Sequence, residues 1–359
     1  MGRVFMKGCE AMAEAAVRAG CRFFAGYPIT PQNEIPEYMA RRLPEVGGTF
    51  LQGESEVASV SMVYGAASAG TRAMTSSSSP GIALKSEGIS YCAAARIPMV
   101  YINVARGGPG VGSIQPAQMD YMQATKASGN GGFRMRVFAP STVQEAVDMV
   151  YAAFDYADAD RNPVLILADG VIGTMMEPVE LPPMKSDEEV AAIKEGKRAW
   201  ACVGHKLDYA NRSWIQPGQW NTLIMQEENE KAAALYASWE PDARAELYRT
   251  EDAEVILTAY GISARIAANA VDLLRLEGKK VGLVRPITVS PFPYAAYEGL
   301  DYSRVKAIVD VEMSIPAQFV EDVKAVVRDR APIHTCLCSG GNIMGREAII
   351  DAVNRCLEV

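Results

Sequence analysis

The sequence contains few of the side chains that bind transition metals or form disulfides. It has two histidines, His205 and His334, which are too few for a histidine metal cluster. Its seven cysteines are scattered and include no Cys-x-x-Cys pair, so neither an iron–sulfur site nor a thioredoxin-type redox pair is encoded. The closest pair, Cys336 and Cys338, alternates along an expected strand, which favours packing. We therefore predict no metal site in this chain.

Long hydrophobic runs and an excess of positive charge are also missing. The formal net charge is -8 and no run of lysine and arginine occurs, which argues against a nucleic-acid partner. Arg96 interrupts the longest apolar stretch, residues 89–104, so no membrane span is predicted. The first residues contain no secretory h-region, and Met6 does not fit a myristoylation signal. We expect a cytoplasmic protein. The sequence has no Gly-x-Ser-x-Gly elbow, which disfavours a hydrolase.

Strands and helices are expected to alternate along the first half of the chain. A chain of 359 residues favours two domains over one. Apolar runs predict strands at residues 21–25, 49–52, 72–76, 98–104 and 163–168. Helical periodicity predicts helices at residues 10–18, 31–42, 56–69, 82–95 and 142–160. This alternation indicates an α/β fold with a mostly parallel sheet covered on both faces.

The second half begins with a segment of different composition. Residues 177–250 combine prolines, a charged run at 185–198 and helical periodicity at 226–248, which indicates a solvated linker with a connecting helix. Strands are then expected at residues 253–260, 280–285, 305–311 and 333–338, with helices at 263–277, 318–328 and 345–357. The predicted division is 1–180, 181–250 and 251–359.

The loop at residues 26–31 is the first candidate site. It follows an apolar strand, and Pro28 and Pro31 restrict the backbone on either side of Thr30. A stiff loop after a strand is where α/β folds place ligands. The same pattern also suits an ordinary connection in which Pro31 lies near a helix start.

Three further segments are weaker candidates for a binding site. The serine run at residues 76–79 could hold an anion at a helix N-terminus, although a solvated turn with a helix N-cap is favoured. The glycine-rich segment 107–112 lacks the spacing of a nucleotide-binding loop. The helix at 56–69 is rich in alanine, serine and glycine, which indicates close approach of a ligand or another backbone, or a tight core.

Several motifs together resemble a known family. The segments Tyr-Pro-Ile-Thr-Pro at 27–31 and Gln-Gly-Glu-Ser-Glu at 52–56 resemble the α subunit of 2-oxoacid:ferredoxin oxidoreductases. These thiamine diphosphate enzymes oxidise 2-oxoacids to acyl-CoA. Segment 106–126 is most similar to the branched-chain (3-methyl-2-oxobutanoate) type, and the 2-oxoglutarate type stays open. The resemblance implies a pyrimidine-binding thiamine diphosphate domain followed by a smaller transketolase C-terminal-like α/β domain.

The resemblance also implies a cofactor-binding acid. In this family a glutamate contacts N1′ of the aminopyrimidine and relays the proton that leaves the thiazolium ring. The matching residue is Glu56, with Glu54 as a nearby competitor. A glutamate in the first helical turn can also simply be stabilised by the helix dipole.

The remaining implied residues bind the substrate. Arg106, which follows a predicted strand, would bind the carboxylate of the 2-oxoacid, because a guanidinium pairs with a carboxylate bidentately. It could instead pair with a structural acid. Thr30 would hydrogen-bond substrate oxygens. The pocket wall would consist of Tyr27, Pro28 and Ile29. A 2-oxoglutarate enzyme would need a second cation, and Lys126 or Arg134 could supply one.

The resemblance implies partners as well. The Gly-Asp-Gly and Asn-Asn motif that holds Mg²⁺ and pyrophosphate in this cofactor class is missing. This chain would therefore bind the pyrimidine half of thiamine diphosphate, and a β subunit would hold the pyrophosphate and Mg²⁺. Iron–sulfur clusters would lie on partner subunits, one of them on the β subunit, and a γ subunit and a ferredoxin-like subunit would accompany it. Coenzyme A and ferredoxin would be the further reactants. The alternatives are a non-catalytic scaffold subunit and a self-sufficient transketolase-like enzyme.

Overall fold

The computed structural model describes residues 2–126, 128–204 and 213–358. Its strands are β1 (Val4–Lys7), β2 (Phe23–Gly26), β3 (Thr49–Gln52), β4 (Ala73–Ser77), β5 (Val100–Ala105), β6 (Arg136–Phe138), β7 (Val164–Asp169), β8 (Met176–Val179), β9 (Ala245–Tyr248), β10 (Val255–Thr258), β11 (Val281–Pro286), β12 (Thr288–Ser290), β13 (Ala307–Glu312) and β14 (Ile333–Leu337). Its α-helices are α1 (Gly8–Arg18), α2 (Glu34–Glu45), α3 (Glu56–Ser68), α4 (Ser79–Ala94), α5 (Tyr121–Thr125), α6 (Val143–Asp160), α7 (Gly170–Thr174), α8 (Asp187–Gly196), α9 (Thr222–Ala237), α10 (Gly261–Leu276), α11 (Tyr294–Glu298), α12 (Val320–Val327) and α13 (Arg346–Leu357).

The larger sheet has seven strands in the order β12-β6-β7-β5-β4-β2-β3. Its pairings are parallel, apart from the antiparallel pair of β12 with β6 at one edge. Strands β5 and β7 are buried along their whole length, as expected for strands that helices cover on both faces. The predicted mostly parallel, doubly covered sheet is confirmed.

The strand order reverses between β2 and β4. The chain runs from β2 outward to β3 and then returns through α3 to β4, on the other side of β2. In open α/β sheets such a reversal leaves a crevice at the carboxyl ends of the strands, and ligands bind there. Loop 27–31 follows β2, the serine run 76–79 closes β4, and Arg106 follows β5. The topology therefore brings three of the segments identified in the sequence to one edge.

The smaller sheet has the order β14-β13-β10-β11-β9, with β9 antiparallel to β11 and the other pairings parallel. The predicted helix at 226–248 is wrong in its second half, because α9 ends at Ala237 and residues Ala245–Tyr248 form β9. Pro241 cannot continue the helical hydrogen bonds, and the ladder with β11 satisfies the backbone of the following residues.

Strand β12 links the two halves, since it follows β11 along the chain but pairs with β6 of the larger sheet. The sequence did not predict this strand.

The division into residues 1–180, 181–250 and 251–359 stays a prediction. Helices α8 and α9 of the connecting segment bury none of their residues, in line with the predicted solvated character of this segment. No helix within the described residues is long and apolar enough to cross a membrane.

The side chain of Gln118 joins the two halves at a buried position. Its Nε2 donates to the Tyr260 carbonyl at 2.8 Å. Its Oε1 accepts from the Ser263 hydroxyl at 2.6 Å and from the Met313 backbone N–H at 3.1 Å. One amide thus satisfies polar groups at the start of α10 and at the end of β13.

Replacing Gln118 with alanine is expected to lower the free energy of unfolding by about 3 kcal/mol, because each buried polar group left without a partner costs about 1–3 kcal/mol. Urea denaturation of the full chain measures this difference. The control is Gln226→Ala on the exposed face of α9, where the side chain bonds to Glu230 in solvent. Equal stability of the two variants would show that the Gln118 contacts contribute little to the packing of the two halves.

Candidate active site

The loop after β2 is fixed to the neighbouring strand by Gln32. Its Nε2 donates to the Tyr27 carbonyl at 3.2 Å, and its Oε1 accepts from the Ser76 hydroxyl at 2.5 Å. Gln32 is fully buried, whereas Tyr27 and Pro28 are exposed and Ile29 and Thr30 are half-buried. The Thr30 hydroxyl accepts a long bond of 3.5 Å from the Asn33 amide. Gln32 therefore holds the loop against β4, and residues 27–30 stay exposed or half-buried.

Arg106 reaches across to this loop from the end of β5. Its Nη1 donates to the Thr30 carbonyl at 2.8 Å, and its Nη2 donates to the Val111 carbonyl at 2.9 Å. Its Nε is buried and has no hydrogen-bond partner among the described residues. A guanidinium has five N–H donors, so Nε–H and the second hydrogen of Nη2 are free to bind a carboxylate side-on.

An acidic residue lies behind Arg106 without forming an ion pair with its guanidinium. The Ser79 hydroxyl accepts from the Arg106 backbone N–H at 2.9 Å and donates to Asp120 Oδ2 at 2.6 Å. The Asn103 amide donates to the same carboxylate oxygen at 2.8 Å. Burial raises the pKa of Asp120, and these two bonds and the Arg106 charge oppose that rise. Through Ser79, Asp120 thus holds the backbone of Arg106 in place. The Nε–H of Arg106 keeps no partner among the described residues.

Glu56 is the first residue of α3 and is 6 % exposed. The preceding Ser55 caps the helix, since its side chain accepts from the Ala58 backbone N–H at 3.2 Å. Among the described residues the Glu56 carboxylate accepts no hydrogen bond, and its backbone carbonyl accepts one from Lys85. Glu54, the competing acid, is exposed. A buried carboxylate with unused acceptors is poised for a ligand donor, because burial without a partner is costly.

The serine run lies beside Glu56 and is buried, so the favoured prediction of a solvated, side-chain-capped turn is wrong. Ser77 ends β4 inside the sheet, and Ser78 precedes α4 without a side-chain cap bond. The hydroxyls of both serines are buried and have no partner in the described chain. Burial follows from the position of β4 between β2 and β5, under the helices of both faces.

Gly81 keeps space open at this point. A Cβ atom there would lie 2.7 Å from Glu56 Oε1 and 2.1 Å from Ser77 Oγ, so no larger residue fits without movement. A carboxylate and two free hydroxyls offer acceptors and donors to a heteroaromatic ring that carries an amino group, such as an aminopyrimidine. The residues present therefore fit the pyrimidine half of thiamine diphosphate.

The first turn of α4 lies between the two parts of the site, since Ser79 contacts Arg106 and Gly81 faces Glu56. The structure thus brings Thr30 and Arg106 into contact and places Glu56 on the other side of one helix start. Gln32 directly follows the motif at 27–31 and Asp120 lies within segment 106–126, but the sequence assigned neither residue a role. It named the serine run but favoured the wrong environment for it. In the described residues no group of three histidine, cysteine, aspartate or glutamate side chains could hold a metal ion.

The fold and the family are settled by comparison with known proteins. A split-gene transketolase, solved as an inactive β4 tetramer, superimposes with a TM-score of 0.60 over 98 % of both chains at 15 % identity. A 2-oxoglutarate:ferredoxin oxidoreductase from Magnetococcus marinus superimposes with a TM-score of 0.82 at 23 % identity. That match covers 99 % of this chain, which spans 65 % of the solved chain. The fold is that of the transketolase-related α/β proteins.

Family models then identify the branch. Residues 14–243 match the thiamine diphosphate-binding model of the pyruvate flavodoxin/ferredoxin oxidoreductases, and residues 253–349 match core domain II of pyruvate:ferredoxin oxidoreductase. The chain belongs to the 2-oxoacid:ferredoxin oxidoreductase family, as an α-type subunit. This confirms the family that the sequence motifs predicted.

Individual relatives cover almost the whole chain. The ketoisovalerate oxidoreductase subunit VorB of Methanothermobacter marburgensis is 44 % identical over 90 % of both chains. The subunit of the same name from Methanothermobacter thermautotrophicus is 41 % identical over 98 % of this chain and 97 % of its own. The 2-oxoglutarate synthase subunit KorA of Methanocaldococcus jannaschii is 34 % identical over 97 % of this chain and 98 % of its own.

Proposed function

We propose that this chain is the subunit of a branched-chain 2-oxoacid:ferredoxin oxidoreductase that binds the pyrimidine of thiamine diphosphate and the substrate carboxylate. The enzyme would convert 3-methyl-2-oxobutanoate and coenzyme A to an acyl-CoA, with electrons passing to ferredoxin. The observation that carries the proposal is a pair of groups without hydrogen-bond partners among the described residues, at one edge of the larger sheet: the carboxylate of the buried residue Glu56 and the buried Nε–H of Arg106. The greater identity to the two ketoisovalerate oxidoreductase subunits than to the 2-oxoglutarate synthase subunit supports this substrate.

Each residue has a distinct task in this proposal. When bound, thiamine diphosphate supplies the electron sink for cleavage of the bond between the keto carbon and the carboxylate. Glu56 holds and exchanges a proton at N1′ of the pyrimidine. Arg106 binds the substrate carboxylate through Nε–H, and Thr30 donates its hydroxyl proton to a substrate oxygen. Tyr27, Pro28 and Ile29 form an apolar wall that excludes water from the branched chain.

A partner subunit would complete the site along the exposed faces of α3 and α4. Val57, Ser61 and Gly65 are exposed at successive turns of α3, and Leu84 and Tyr91 are exposed on α4. Small and apolar residues on two exposed helices next to Glu56 suit a closely packed subunit interface. We place the pyrophosphate and Mg²⁺ on a β subunit that covers this surface.

Further subunits would carry the electrons. We assign the iron–sulfur clusters to partner chains, and we expect a γ subunit and a ferredoxin-like subunit in the complex. All seven cysteines of this chain are free thiols. Free thiols favour a reducing compartment, which supports a cytoplasmic location.

Two contacts disfavour 2-oxoglutarate as the substrate. Lys126 Nζ is 2.7 Å from Asp322 Oδ1, so its charge is already paired with an acid of the C-terminal half. Arg134 is exposed and donates to the carbonyls of Gly132 and Phe133. Neither Lys126 nor Arg134 is therefore available beside Arg106 to bind a second substrate carboxylate.

Steady-state rates of the reconstituted complex test the proposal. We expect kcat/KM for 3-methyl-2-oxobutanoate to exceed that for 2-oxoglutarate or pyruvate by roughly tenfold or more, a ratio that apolar pocket contacts can provide. Preference for 2-oxoglutarate would overturn the substrate assignment. Turnover by this chain alone with thiamine diphosphate and Mg²⁺ would favour a self-sufficient enzyme instead.

A further inference from the structure

A buried lysine, Lys85, contacts the backbone of Glu56. Lys85 lies in α4 with no exposed surface, and it is among the largest fully buried side chains. Its Nζ donates to Thr75 Oγ1 at 3.0 Å and to the backbone carbonyl of Glu56 at 3.4 Å. Thr75 in turn donates to the Ala25 carbonyl at 2.7 Å. The ammonium group therefore links α4, α3, β4 and β2 at the base of the site.

This position is costly for a charged group. Among the described residues no carboxylate lies within salt-bridge distance of Lys85, which donates instead to a hydroxyl and a backbone carbonyl. Burial lowers the pKa of Lys85 to about 8, and the charge of Glu56 opposes this change. Glu56 on α3 is the titratable group that acts on it, whereas β4 and β2 present Thr75 and the Ala25 carbonyl. A methionine of similar shape would fill the same space without this cost.

We propose that Lys85 is a positioning residue for Glu56, because its ammonium group holds the first turn of α3 through the Glu56 carbonyl. This inference rests on the proposed function, in which Glu56 exchanges a proton with the pyrimidine. Glu56 is the first residue of α3, so a shift of this turn moves its carboxylate away from the productive geometry. A misplacement of about 1 Å can lower the rate by about a hundredfold.

The variants Lys85→Met and Lys85→Arg test this role in the assembled complex, with Lys324→Met, at an exposed position of α12, as the control. For Lys85→Met we expect kcat to fall by about tenfold to a hundredfold, because the first turn of α3 loses the donor that holds it. KM for the 2-oxoacid should change little, since Arg106 lies on the other side of the α4 start. Lys85→Arg should recover part of kcat, because a guanidinium also donates to carbonyl and hydroxyl oxygens.

Thermal unfolding of the full chain gives a readout that does not depend on turnover. Because the folded pKa of Lys85 lies below its unfolded value of 10.5, the contribution of Lys85 to wild-type stability rises with pH between about 8 and 10.5. Lys85→Met lacks this rise and should be at least as stable as wild type at pH 7.

The outcomes separate this inference from the proposed function. If Glu56→Gln leaves turnover intact, the proposed function fails. If Glu56→Gln is inactive but Lys85→Met keeps wild-type kcat, the role of Lys85 alone is wrong. Loss of stability in Lys85→Met with unchanged kcat would make Lys85 a packing residue and also overturn the inference.

Discussion

Glu56→Gln is expected to lower kcat of the assembled complex by about 10²–10⁴-fold, the usual contribution of a positioned acid–base group. Glutamine has nearly the same shape as glutamate but cannot exchange a proton at N1′ of the pyrimidine. Because no described residue donates to the Glu56 carboxylate, the substitution breaks no hydrogen bond within the chain. The fold should persist, so the loss should lie in kcat.

Glu54→Gln is the matched control for this experiment. It removes the same charge two residues earlier, at an exposed position. We expect it to retain wild-type turnover. Full turnover by both variants would support a non-catalytic scaffold subunit, and loss confined to Glu54→Gln would transfer the role to the competing acid.

Arg106→Met is expected to lower kcat/KM for the 2-oxoacid by about a hundredfold or more. A hydrogen bond to a charged group contributes about 1.5–3 kcal/mol, and a side-on carboxylate accepts two such bonds. Because the proposed cofactor-binding residue, Glu56, lies on the other side of the α4 start, we expect thiamine diphosphate affinity to change little. Arg106→Lys should recover part of the loss, since it restores charge without the planar fork.

The control for Arg106 must account for its structural bonds. Arg106 also supports the Thr30 and Val111 carbonyls, so unfolding should be measured alongside the kinetics. Arg134→Met removes an exposed arginine that likewise bonds to carbonyl groups, and it should leave kcat/KM unchanged. Unchanged kcat/KM in Arg106→Met would show that the substrate carboxylate binds elsewhere.

Local patterns predicted much of the fold. The continuous apolar runs of β5 and β7 identify strands covered on both faces, and helical periodicity located α3 and α6 closely. Five of the described strands were missed because each has only three or four residues and pairs with a strand distant in sequence: β1, β6, β8, β9 and β12. No local pattern records such a partner.

The site was predicted unevenly for a similar reason. Glu56, Thr30 and Arg106 lie in recognisable motifs, and the strand order explains why their loops meet. The burial of Ser77 and of Lys85 depends instead on where β4 and α4 lie in the assembled sheet. Serine and lysine are usually exposed, so the residue type alone favours a solvent-exposed position. Their unusual burial became evident only in three dimensions.

In the proposed function, this chain forms one part of a cofactor site that it shares with another subunit. Calorimetric titration of thiamine diphosphate with Mg²⁺ into the isolated chain, and into its complex with the partner subunit, tests this most directly. We predict stoichiometric binding to the complex and no comparable binding to the isolated chain. Binding of equal affinity to the isolated chain would contradict a shared site.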